Sequence, residues 1–95
     1  MDINERIVLD LQKKVGKELV DMTDDDYIIL MDKQSKEDLL KIREYLTRTR
    51  DFYKRILTEE YAKTHPNSFR YKDANDQIAK INNKGKLLKV IIEKK

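Results

Sequence analysis

The sequence predicts a mostly α-helical fold, a compact bundle of three to four helices, and leaves open a short two-strand element near the C-terminus. Three observations carry that expectation. Apolar residues recur at steps of three and four over long stretches. A side chain able to cap a helix stands before each stretch. Only two glycines and one proline interrupt the 95 residues.

The first helix is expected over residues 2–22. Ile3, Ile7, Leu11, Val15, Leu19 and Met22 fall on one face. Asp2 is placed to cap it, with Glu5 where the reciprocal partner of a capping box belongs. Gly16 marks either a close approach by another helix or an early break. A second, short helix is expected over residues 24–33. Thr23 caps it, and Asp24, Asp25 and Asp26 fill a first turn where the helix dipole favours negative charge. The run Tyr27-Ile28-Ile29-Leu30-Met31 is apolar all round, which reads as a buried segment.

The third helix is expected over residues 36–64. It starts after Ser35 and carries the stripe Leu39, Ile42, Leu46, Tyr53 and Ile56, with Thr49 in one slot. Leu40, Phe52 and Leu57 flank that stripe, and Pro66 closes the stretch. A fourth helix is expected over residues 73–84, capped by Asp73. Asn82-Asn83-Lys84-Gly85 reads as its stop, with Gly85 left-handed. The tail, residues 86–93, is rich in β-branched residues. It reads either as a strand beside Phe69–Tyr71 or, by the spacing 74, 78, 81, 85, 88 and 92, as more helix. The whole chain, residues 1–95, is read as one helical domain.

Composition bounds the chemistry. Charged residues make up 41% of the chain, against about 25% in typical domains. Such a chain has much surface and a thin core. There is no cysteine, which removes disulfides, thiolate metal sites and cysteine nucleophiles. No stretch approaches the roughly 18 apolar residues of a membrane span. These features point to a cytoplasmic protein that keeps off membranes. The net charge of +3 hides an asymmetry. Residues 1–38 hold 11 acidic and 6 basic groups, and residues 39–95 hold 7 acidic and 15 basic groups.

No catalytic constellation is legible. His65 is the only histidine and stands in an expected loop with no partner near it in sequence. There is no nucleophile motif, no phosphate-cradling glycine loop and no dinucleotide fingerprint. The acidic run Asp24–Asp26, with Asp21 and Asp32 nearby, fails the calcium-loop template, because that template needs glycine at position 26 and glutamate at position 32. No catalytic residue, metal ligand or cofactor is therefore expected.

Two charged surfaces are the candidate sites. Lys41, Arg48 and Arg55 lie on one line of the third helix, and Arg43, Arg50 and Lys54 on an adjoining line. Arg70 and Lys72 extend the basic set, as do Lys80, Lys84, Lys86, Lys89, Lys94 and Lys95. Glu44 and Asp51 share the first line, so i, i+4 pairs Glu44–Arg48 and Asp51–Arg55 are expected within it. Asp21, Asp24, Asp25 and Asp26 form the candidate acidic surface. The run Arg43-Glu44-Tyr45-Leu46-Thr47-Arg48-Thr49-Arg50 resembles the arginine-bearing helix of GINS replication-complex subunits. That resemblance covers one helix and carries no residue roles across.

The function expected is that of a small non-enzymatic protein-interaction module, a regulator, adaptor or inhibitor that binds a larger protein partner. The alternative is a nucleic-acid-binding protein that uses the basic surface of residues 39–95, with Phe52, Tyr53, Phe69 and Tyr71 as stacking groups. The thin core also leaves room for a homo-oligomer.

Overall fold

The computed structural model describes residues 2–59, 64 and 69–95. Among the described residues four α-helices have defined bounds: α1 (Ile3–Val15), α2 (Asp24–Asp32), α3 (Lys36–Thr58) and α4 (Phe69–Lys94). A 3-10 turn, Leu19–Asp21, stands between α1 and α2. About 87% of the described residues are helical and none of them is in a strand, so the expected two-strand element is replaced by helix.

The frame is the antiparallel pair α3 and α4. Arg70 donates to Glu59 at 3.1 Å, which brings the start of α4 to the end of α3. Lys95 Nζ donates to the carbonyl oxygens of Asp32 and Gln34 at 2.7 and 2.9 Å, which brings the end of α4 to the start of α3. The first helix packs on α3, while the 3-10 turn and α2 pack on α4. Their shared core holds Val8 and Leu11 of α1, Leu19 and Met22 of the connection, Tyr27 and Met31 of α2, Leu39, Ile42 and Leu46 of α3, and Ile81, Leu88, Ile91 and Ile92 of α4.

Three helix starts follow the capping residues. Asp2 accepts from the Asn4 amide at 2.9 Å, Thr23 Oγ1 from the Asp26 amide at 3.2 Å, and Ser35 Oγ from the Asp38 amide at 3.1 Å. Each satisfies a backbone donor that the first helical turn leaves without a partner.

The first helix is shorter than the apolar spacing suggests. It ends at Gly16, whose φ of +78° places it in the left-handed region while its amide donates to Gln12 O. A Cβ at Gly16 would meet nothing within 4 Å, so the glycine serves the break and no close approach. The Gln12 side chain then accepts from the Leu19 amide at 3.1 Å and ties the turn down. The buried face of α1 is also rotated from the expected one. Asn4, Val8 and Leu11 are buried, whereas Ile3 is 60% exposed. The short α2 buries only Tyr27 and Met31, and Ile28 and Ile29 face outward. A two-turn helix at the edge of a bundle has a single face to bury, so the continuous apolar run is not buried all round.

The fourth helix corrects three expectations, the strand, the stop and the start, since Asp73 lies inside a helix already formed at Phe69 and does not cap it. Residues 69–94 form one helix, and Gly85 lies in its interior without positive φ. Ala74, Ile81, Leu88, Ile91 and Ile92 are all buried. Their spacing of seven, seven, three and one is helical. A left-handed Gly85 would turn Leu88, Ile91 and Ile92 away from α3. Burial of that stripe overrides the β-branched bias of the tail, a preference that reflects packing more than the backbone.

The third helix ends at Thr58 with Glu59 as its cap, short of the expected residue 64. Residues 60–63, and the segment from His65 to Ser68 with the expected Pro66 stop, lie outside the described residues.

Candidate functional site

The first and second helices cover one side of the α3–α4 pair. Along the seam of that pair, Arg43, Thr47 and Arg50 of α3 face Asn82, Lys86 and Lys89 of α4 across a groove of about 420 Å³. Its floor is Leu46, Ile81 and Gly85. Leu46 and Ile81 are each 3% exposed, so the floor is the outer edge of the core itself. Gly85 leaves an open notch, since a Cβ there would meet nothing within 4 Å.

The electrostatics of the groove are one-sided. Four of its lining residues are cationic and none is acidic. Arg43, Lys86 and Lys89 form no ion pair among the described residues. Arg50 has Asp51 at 3.7 Å from its Nε, beyond hydrogen-bond reach, and that Nε is buried without a hydrogen-bond partner. Four cations along one groove repel each other and attract an anion.

Helical spacing explains why these residues converge. Positions 43, 47, 50 and 54 lie on one line of α3, and 82, 86 and 89 on one line of α4. Lys54 continues the α3 line beyond the groove and is exposed, and Lys72, also exposed, stands about 80° round α4 from Asn82 and off the second line. The groove is therefore bordered by two basic rows that only an uninterrupted α4 can bring together.

Three of the other candidate cations are spent in ion pairs inside the fold. Lys41 pairs with Glu37 at 3.4 Å, and Arg70 with Glu59 at 3.1 Å. Arg48 pairs with Asp2 and, at 2.7 Å, with Glu44. The Asp2 carboxyl is held below its usual range, first by the Asn4 amide and then by Arg48, and the Arg48 guanidinium is pushed up in turn. Arg55 is exposed, and Asp51 stands beside Arg50 in place of the expected pairing with Arg55.

The acidic candidates divide in the same way. Asp21 pairs with Lys80 at 2.9 Å, which together with Asp76 raises the Lys80 ammonium above its ordinary value. Asp24 accepts from Lys84 and Asn83 at 2.9 and 2.8 Å, and both lower its carboxyl. Asp25 and Asp26 are exposed and form no ion pair among the described residues. The acidic run is thus half consumed in fastening α4 to the 3-10 turn and α2. Much of the charge asymmetry along the chain closes on itself in space.

Among the described residues, no three acidic or histidine side chains stand close enough to hold a metal ion. No helix among them is long and apolar enough to cross a membrane. Phe52 and Tyr53 do not join the basic rows either. They meet edge to face at 5.3 Å, with Phe52 beside Asp2 and Glu5 on the α1 side of α3.

Thr47, Asn82 and Gly85 complete the groove and stand outside the candidate site read from the sequence, whereas Lys86 and Lys89 belong to the extended basic set named there. The signal for Lys86 and Lys89 was their spacing from Asn82, which acquires meaning only once Gly85 is read as helical. No protein family, no curated protein and no solved structure matches the chain.

Proposed function

We propose that this chain is a non-enzymatic protein-interaction module whose α3–α4 groove receives an acidic segment of a partner protein. The observation that carries the reading is the pairing of an aliphatic floor, Leu46 and Ile81, with a rim of Arg43, Arg50, Lys86 and Lys89, of which only Arg50 has an ion pair among the described residues, with Asp51 at 3.7 Å. A basic rim steers an anionic partner and sets its register, and the aliphatic stems of its arginines and lysines add apolar contact along the groove.

A nucleic acid is the second reading, favoured by the same cationic rim. The floor argues for protein. It offers aliphatic side chains where base stacking needs aromatic ones, and no aromatic among the described residues lines the groove.

The test is affinity capture from nuclease-treated native extract, with the wild-type chain and the double variant Arg43→Glu/Arg50→Glu as baits. The reading expects a protein retained by the wild type and released by the variant. Retention that disappears with nuclease treatment transfers the groove to nucleic acid. A wild-type bait that retains nothing overturns the reading.

A further inference from the structure

We infer that the occupant of the groove is an α-helix of the partner, one that carries an aliphatic stripe flanked on both sides by carboxylates about seven residues apart. This rests on the proposed reading of the groove as a site for an acidic protein segment and adds the shape of that segment.

The dimensions point to a helix. Arg43 and Arg50 are seven residues apart on one helix, which is about 10.5 Å along its axis. Asn82 and Lys89 give the same interval on the facing helix. Since α3 and α4 are antiparallel, Arg43 lies toward Lys89 and Arg50 toward Asn82, with Lys86 between. Packed helices stand roughly 8–10 Å apart, so the seam between them is a furrow matched to the side-chain ridge of a third helix. Carboxylates seven residues apart on that helix repeat at the same interval of about 10.5 Å and meet cations at both ends of the groove.

The notch at Gly85 adds a second argument. Glycine in a helix interior costs about 1 kcal/mol relative to alanine. Nothing in the fold asks for it at position 85, because the residue has no positive φ and no neighbour crowds the place of its Cβ. What the missing side chain provides is room above Ile81 and Leu46 for an aliphatic side chain entering from outside. With Thr47 opposite, the notch has a small residue on each wall beside Lys86, while Arg43 with Lys89 lines one end of the groove and Arg50 with Asn82 the other. An extended acidic chain has no use for a central notch, whereas a helix presenting leucines at steps of three and four fills it.

The test uses synthetic peptides of about 15 residues, end-blocked and labelled with fluorescein, and reads anisotropy against the intact protein. One peptide carries leucines at steps of three and four, flanked on each side by a pair of glutamates seven apart. A scrambled peptide of identical composition keeps the charge and loses the stripe. A 20-base-pair DNA duplex is the third probe. The expected result is striped-peptide affinity at least about tenfold above the scrambled one. That affinity falls at least about tenfold in Arg43→Glu/Arg50→Glu and in Gly85→Leu, and is unchanged in Arg48→Ala. Gly85→Leu separates occupancy from folding, because leucine is the better helix former and meets open space, so its thermal midpoint should not fall.

Equal binding of striped and scrambled peptides overturns the helix and leaves an acidic protein segment standing as the partner. Striped-peptide binding that is unaffected by Gly85→Leu also overturns the helix. If neither peptide binds, whether or not the duplex does, the helix and the acidic protein partner fall together.

Discussion

Lys84 Nζ stands 2.9 Å from Asp24 Oδ1 and 5.5 Å above the ring of Tyr27. The contact joins the first turn of α2 to the middle of α4, and it is lopsided, since the lysine side chain is 4% exposed and the aspartate side chain 57%. Removing the aspartate strands a buried ammonium. Replacing the lysine by methionine removes the charge and keeps an unbranched stem of similar length. Asp24→Ala is therefore expected to destabilise the protein more than Lys84→Met, which should stay within about 1 kcal/mol of wild type. Urea denaturation at neutral pH ranks the two, and the reverse order would show that the lysine stem, not the charge pair, holds α2.

The same pair sets an acid limit. Lys84 and Asn83 hold the Asp24 carboxyl below its ordinary value. A carboxyl with a lower pKa in the folded state stabilises the fold fully above its unfolded value of about 3.9. That contribution is lost as pH falls through the folded value. Asp2, lowered by the Asn4 amide and Arg48, acts with the same sign. Stability should therefore be flat toward neutral pH and drop below about pH 4. Asp24→Asn should flatten that drop, and thermal melts between pH 2 and 6 would show it.

The two glycines should respond to alanine with opposite signs. Gly16 has φ +78°, where a side chain costs roughly 1–2 kcal/mol. Gly85 is an ordinary helical residue with open space at its Cβ, so Gly85→Ala should stabilise by about 0.5–1 kcal/mol. For a domain of this size each kcal/mol moves the thermal midpoint by about 4–8 °C. Calorimetry of the two variants reads the signs directly. A loss of stability in Gly85→Ala would mean that the helix needs its glycine for its own packing.

The same two residues show what could be read from the sequence. The caps Asp2, Thr23 and Ser35 were legible because a capping contact lies within three residues of the side chain that makes it. The core face of α3 was legible because Leu39, Ile42 and Leu46 keep one period along one helix. Gly16 and Gly85 look alike in sequence, each in an apolar periodic stretch, yet only the first breaks its helix. The difference is tertiary. Continuing α4 buries Leu88, Ile91 and Ile92 against the bundle, while breaking α1 lets Leu19 and Met22 turn into it. Of the site, Arg43 and Arg50 were legible as one line of α3. Their alignment with Lys86 and Lys89 was not, because it depends on two helices meeting along a seam.

Tyr27 is fully buried, and its hydroxyl has no hydrogen-bond partner among the described residues. Burial alone pushes the hydroxyl well above its usual pKa, so the phenol stays neutral at any pH the fold survives. An unsatisfied buried polar group costs about 1–3 kcal/mol. Tyr27→Phe removes that cost and keeps the ring beneath Lys84, so it should raise stability by about 1 kcal/mol. A loss on denaturation would reveal a hydrogen bond to the hydroxyl from a residue outside those described. Tyr27→Ala should cost about 3–5 kcal/mol, the usual penalty for emptying an aromatic site in a core.

Arg43 and Arg48 lie five residues apart on one helix and differ in what faces them. Arg48 is held by Asp2 and Glu44, whereas Arg43 has no ion pair among the described residues and faces the other cations of the groove. Neutralising Arg48 removes attraction, and neutralising Arg43 removes repulsion. Arg43→Gln should therefore leave stability unchanged or raise it by up to about 0.5 kcal/mol, while Arg48→Gln lowers it. Salt adds a second sign. The surface charges are screened over about 10 Å at 0.1 M and about 3 Å at 1 M, so both differences should shrink as sodium chloride rises. Urea denaturation of the two variants at 20 mM and 500 mM salt measures both signs. If Arg43→Gln destabilises as much as Arg48→Gln at low salt, the groove cations hold the fold together and are not reserved for a partner. If it does not, the groove carries a repulsion that folding alone gives no reason to keep, as expected of a surface whose charges are neutralised by what it binds.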